Sequence, residues 1–178
     1  MKIQTILSLL AVSILLAGCG KKSAPPAPRP SSVVEPTNPD SSPQTAAQQA
    51  LTAWQHGDEP GAVSQFLKVD WTARPLFDSS SPLGWSEDRF HALPPEDRAA
   101  AAQQIGDQLG TLKRLLAAVT NAGRDAEAKS DVATARQCFT SLKQCGAALD
   151  RPEFSDLVKL VGQKVEKNAD AELTKLGP

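Results

Sequence analysis

The chain contains no tyrosine, one methionine, two histidines and three cysteines in 178 residues. Its aromatic side chains are three tryptophans and five phenylalanines. A hydrophobic core must therefore be assembled from leucine, valine, alanine and a few rings. With so few histidines and cysteines, and no paired-cysteine spacing, the usual zinc patterns are missing. There is no excess of positive charge either, with 19 Lys+Arg against 20 Asp+Glu. That balance argues against a nucleic-acid-binding protein, which shows a basic stripe, and gives no acidic tail. No glycine-rich phosphate loop and no G-x-S-x-G elbow occur. His56 and His91 are not arranged with a nucleophile and an acid, and Asp88, Glu96 and Asp97 read as helix-start acids. No catalytic residue, cofactor or metal is expected from the sequence, and the chain is read as a non-enzyme.

What is present begins at the N-terminus. Met1-Lys2 is followed by an apolar run from Ile3 to Leu16. The run falls short of the roughly 20 residues that span a bilayer, and Gln4, Thr5, Ser8 and Ser13 interrupt it. This is the pattern of a secretory signal peptide over residues 1–18. Leu16-Ala17-Gly18-Cys19 closely resembles the bacterial lipobox. The resemblance implies a diacylglycerol on the Cys19 thiol, cleavage before Cys19, and acylation of the new amine by a palmitate-class chain. Several acyl chains anchor stably where one does so marginally. The membrane is thus an expected partner through Cys19, and the expected location is the cell envelope. Gly20, in place of an aspartate, favours the outer membrane facing the periplasm by resemblance to enterobacterial sorting.

Residues 19–43 form the lipidated cysteine and a tether. Seven prolines, from Pro25 to Pro43, alternate with serine, alanine and lysine. Such a segment buries too little apolar surface to offset its ordering entropy and is expected to be disordered. Proline biases it toward an extended form at about 3.1 Å per residue, a reach of several tens of ångströms.

Residues 44–178 read as one all-helical domain: a helical hairpin plus an antiparallel bundle, with an irregular aromatic-rich segment between them. A first helix is expected from Ser42-Pro43 with Ala47, Ala50, Leu51 and Trp54 on one face. Gly57-Asp58 ends it and caps a second helix bearing Ala62, Val63, Phe66 and Leu67. Pro94-Pro95-Glu96 opens the longest helix, with a stripe of Ile105, Leu109, Leu112, Leu116, Val119 and Ala126 and a gap at Gly123. Gly106 and Gly110, four apart, are either a close-approach site or a tolerated pair. A further helix carries Val132, Ala135, Cys138, Phe139, Leu142, Cys145 and Leu149. A last one, from Pro152, carries Phe154, Leu157, Val158, Val161, Val165, Ala169 and Leu173. Cys138 and Cys145 lie about 10 Å apart along a continuous helix, beyond the roughly 7 Å that a disulfide bridges. They read as small core residues, with a redox or intermolecular thiol as the alternative.

A spacing recurs. Asp58, Ala62 and Phe66 fall four apart, as do Asp131, Ala135 and Phe139. A small residue and a ring at that spacing resemble the second half of a tetratricopeptide hairpin. Ala53-Trp54 before Gly57-Asp58 adds to the likeness of the first copy. The copies are not separated by a clean multiple of about 34 residues. The reading is therefore of hairpins similar to tetratricopeptide units within a bundle. The resemblance implies concave grooves for partner proteins.

Trp71, Phe77, Trp85 and Phe90 concentrate in the irregular segment from Asp70 to Pro94. They are the candidate partner-binding residues, because large rings are enriched at interface hot spots. The competing role, which burial of large rings favours, is a lid packed on the helices. The functional expectation is a lipid-anchored envelope protein with a helical protein-interaction domain. A self-associating assembly component and an enzyme of unknown class are the alternatives.

Overall fold

The computed structural model describes residues 44–177. Six α-helices account for the architecture: α1 (Ala46–Gln55), α2 (Glu59–Phe66), α3 (Glu87–His91), α4 (Pro95–Ala128), α5 (Val132–Leu149) and α6 (Asp156–Lys175). One 3-10 turn, Pro82–Gly84, precedes α3. No strand occurs among the described residues. The protein is all-α, a helical hairpin joined to an antiparallel bundle.

The first helix begins three residues later than the proline signal suggests. Thr45, not Ser42, is the N-cap, and its hydroxyl oxygen accepts from the Gln48 amide at 3.2 Å. The same hydroxyl donates to the Leu76 carbonyl at 2.9 Å, and the Thr45 amide donates to Asp78 Oδ1 at 3.2 Å. The irregular segment thus fixes the start of α1. Ser42 and Pro43 lie outside the described residues.

The recurring spacing has a structural counterpart. After α1, Gly57 takes φ 80°, its amide donates to the Trp54 carbonyl, and the Asp58 amide donates to the Ala53 carbonyl. This is a Schellman closure, in which a left-handed residue satisfies the last helical carbonyls. After α4, Ser130 takes φ 62°, its amide donates to Glu127, and the Asp131 amide donates to Ala126. Asp58 and Asp131 then cap α2 and α5 with near-identical backbone angles, accepting from the Gly61 and Thr134 amides. The hairpins differ in length: α2 has 8 residues and α5 has 18.

α4, at 34 residues, is the spine. It packs against α1, α2, the 3-10 turn and α3, and also against α5, which in turn packs along α6. One continuous core joins Phe66 of α2, Leu112 and Val119 of α4, Phe139 and Leu149 of α5, and Val158 of α6. The gap at Gly123 is where the Phe139 ring seats: a Cβ there would come within 2.8 Å of it. Gly106 and Gly110 have nothing within 4 Å of a built Cβ, so they are the tolerated pair. The close helix approach is elsewhere, at Gly146 of α5 and Gly162 of α6. A Cβ on Gly162 would sit 2.7 Å from the Gly146 carbonyl oxygen. Hydrogen atoms alone let these two backbones meet.

Two stripe assignments and a second helix start also differ from the sequence reading. Val132 is exposed, because it is the first residue of α5 at the tip of the bundle. Leu157 is exposed, for reasons taken up below. The last helix starts at Asp156, with Ser155 as N-cap, and not at Pro152. Residues 151–155 form the turn between α5 and α6, and Phe154 inserts into the core from that turn. Cys138 and Cys145 are free and buried. Burial pushes both thiols up, with the negative charge of Asp131 adding to the effect at Cys138.

Candidate functional site

The four aromatic residues divide into two pairs. Trp71 and Phe77 are core residues, 6% and 3% exposed. Trp71 packs on Phe66 with ring centroids 4.7 Å apart and the planes tilted by 54°, and Phe77 meets Phe154 edge-on at 6.0 Å. Trp85 and Phe90 are half-buried on the outside of that core, and the Arg89 guanidinium lies 4.6 Å over the Trp85 ring. The segment is a lid packed on the helices. Polar contacts fasten it on all sides. Ser81 donates to Gln108 of α4 at 2.9 Å, Arg151 donates to the Trp71 carbonyl at 2.6 Å, and Arg74 pairs with Glu153. The Asp156 amide donates to Glu87 at 3.2 Å. A partner reaching this face would meet Trp85 and Phe90, not Trp71 or Phe77. Beside the lid, a shallow cleft of about 420 Å³ is bordered by Trp71, Arg74 and Arg151, whose charges Glu153 answers.

A larger groove lies on another face. It has a volume of about 780 Å³ and runs between α4 and α6, with α5 beneath it. Phe139 and Leu142 of α5, Leu116 of α4, and Val161, Val165 and Ala169 of α6 make its floor. Lys113, Arg124, Lys164 and Lys175 stand along its edges. The groove exists because α4 and α6 both pack on α5 and barely on each other.

Its two ends differ. At one, Glu172 is buried at 6% exposure and closes the space between the helices. Arg124 Nε reaches it from α4 at 3.0 Å, and Lys175 Nζ reaches it from the next turn of α6 at 2.6 Å. Hydrogen bonds from Lys175 and Arg124 hold the Glu172 carboxyl below its ordinary value. At the other end the groove is open. Leu157 is 50% exposed and Leu160 63%. These are the large apolar side chains that α6 leaves in water.

The sequence reading placed Leu157 in the buried stripe and passed over Leu160. The signal for their exposure is present in α6 itself. Apolar residues at 157, 158, 160, 161 and 165 cover a wider arc than one neighbouring helix can bury. Val158 and Val161 are buried and Val165 packs against the core, while Leu157 and Leu160 face outward.

His56 lies exposed at the end of α1, and His91 pairs with Glu87 at 3.3 Å on the surface. Neither borders the groove or the cleft. Among the described residues, no three His, Cys, Asp or Glu side chains cluster as metal ligands, and no helix is long and apolar enough to cross a membrane. Cys19, the signal segment 1–18 and the tether to residue 43 lie outside the described residues. No family model, no curated protein and no solved structure matches the chain.

Proposed function

We propose that this chain is a lipid-anchored protein of the cell envelope whose helical domain docks another protein through the α4–α6 groove. The observation that carries the docking role is the open end of that groove. Single exposed leucines are ordinary on protein surfaces, but Leu157 and Leu160 are one turn apart and continuous with an apolar floor. A contiguous apolar patch edged by polar side chains marks an interaction surface. Helix pairs that leave such grooves serve as recognition surfaces for peptides and helices. The Cys19 motif supplies the anchor in this reading. The proline-rich stretch to residue 43 supplies the distance that lets a membrane-held domain meet a partner. The outer membrane, facing the periplasm, is the proposed location.

Two measurements test it. Metabolic labelling with an alkyne fatty acid should mark the wild-type protein and be lost in Cys19→Ser. A photocrosslinking residue at position 160 of the full-length protein, in cells, should give a discrete product. The same residue at the exposed position 103, away from the groove, should not. Identical patterns at the two positions, or no product at 160, would refute docking through this groove.

A further inference from the structure

We infer that the occupant of the α4–α6 groove is an acidic amphipathic helix of a partner protein. This rests on the groove being the docking surface, and it adds the chemistry and shape of what docks.

Shape comes first. The lining runs from Lys113 to Arg124 on α4 and from Leu157 to Lys175 on α6. At 1.5 Å per residue those stretches are about 17 Å and about 27 Å long. The site is a trough, longer than a drug-sized ligand needs, with an apolar floor along its length. A helix laid in it would put residues spaced three and four apart onto the floor. There it would complete the packing that α4 and α6 do not make with each other.

Charge decides which kind of helix. The side chains along the trough carry four cations and a single carboxylate. That carboxylate, Glu172, is already engaged by two of the cations, Arg124 and Lys175. Lys113 and Lys164 pair with no carboxylate among the described residues. Lys113 is at the end of the α4 wall away from Arg124, and Lys164 is one turn beyond Leu160 on α6, so the two flank whatever covers Leu157 and Leu160. Of the other acids of α6, Asp156 pairs with Lys159 and Asp170 with Lys143, while Glu166, two residues from Lys164, lies against Gly146 of α5 and does not line the trough. A basic helix would be repelled from both edges. An acidic one would seat its apolar stripe on the floor and set carboxylates against Lys113 and Lys164. A second copy of this chain is disfavoured by the same charges, since its own α6 would bring Lys164 to the trough.

The test uses two dye-labelled helical peptides of about 18 residues, enough to span the longer wall. They share one leucine stripe and carry either glutamates or lysines beside it. Binding to the full-length protein in mild detergent is followed by fluorescence anisotropy. Each edge ion pair contributes a factor of up to about five. The glutamate peptide should therefore bind about tenfold more tightly than its lysine twin at low salt, with the gap narrowing as salt screens it. The double variant K113E/K164E should reverse the preference, and L160E should weaken both peptides. Both lysines are on the surface, so the variants should keep the wild-type melting temperature. Equal affinities with L160E sensitivity would overturn the acidic assignment and leave the groove as a docking site. No binding of either peptide, with the position-160 crosslink intact, would overturn the helical occupant but not docking. A concentration-dependent dimer abolished by L160E would replace the partner with a second copy.

Discussion

Glycine-to-alanine substitution should change sign between two pairs of positions in this one domain. In a helix interior, alanine is favoured over glycine by about 0.8–1 kcal/mol. At Gly106, where nothing approaches a built Cβ within 4 Å, that gain should appear undiminished. At Gly162 the new methyl would lie 2.7 Å from the Gly146 carbonyl oxygen and 2.9 Å from the Asp150 amide. Ordinary contact begins near 3.4 Å, so α5 and α6 must part by more than half an ångström. Neither obstacle is a side chain that can rotate away. The cost belongs at the upper end of the overpacking range, about 3 kcal/mol. Subtracting the propensity gain leaves Gly162→Ala about 2 kcal/mol less stable than wild type. For a domain of this size 1 kcal/mol moves the melting temperature by about 4 °C. Thermal unfolding followed by circular dichroism should show Gly106→Ala about 4 °C above wild type and Gly162→Ala about 8 °C below. Gly146→Ala should fall with Gly162→Ala. If Gly162→Ala melts at or above Gly106→Ala, the backbone contact between α5 and α6 does not exist as described.

Other outcomes follow from single residues. Ser130→Gly should stabilise the protein by about 0.5–1 kcal/mol in urea unfolding, because a left-handed serine costs about 1–2 kcal/mol and glycine returns part of that as entropy; a loss would contradict the φ of 62°. Trp71→Ala should cost about 3–5 kcal/mol, as for other buried rings, whereas Trp85→Ala, half-buried, should cost about 1 kcal/mol, mostly the Arg89 contact; equal losses would mean the lid is not seated as observed. The Glu172 carboxyl is lowered below 4.5, so its ion pairs contribute fully above that pH and are lost as the pH falls through its folded value. Wild type should accordingly lose stability on acidification below about pH 4.5 more steeply than Glu172→Gln, measured as urea midpoints; parallel curves would show that Glu172 is not held by Arg124 and Lys175.

The fold was legible where local chemistry and periodicity coincide. Asp58 and Asp131, the acids of the recurring spacing, cap the helices that follow them, and the Ile105-to-Ala126 stripe is buried throughout. Helix starts that depend on tertiary partners were less legible. Thr45 is chosen over Ser42 through Leu76 and Asp78, 31 and 33 residues away in sequence. The glycines show the same limit: Gly106 and Gly110 have the spacing of a close approach, while Gly146 and Gly162 have the neighbour. Trp71 and Phe77 were read as candidate partner-binding residues, but both are buried in the core. The groove was legible only as an excess of apolar positions on α6. Its basic edge required knowing that Lys113 and Lys164, 51 residues apart in sequence, line the same groove.

The lid also bears on how the domain comes apart. Stacked helical hairpins touch only their neighbours and can fray from either end. Here Arg74 and Trp71, just beyond the first hairpin, are bonded to Glu153 and Arg151 of the last turn, across 79 and 80 residues of chain. Those links tie the segment after α2 to the α5–α6 turn, so opening either one breaks contacts of the other. Hydrogen exchange in α1 and in α6 should then report a shared opening event. The protein would unfold as one cooperative unit, despite being built from hairpins that form locally.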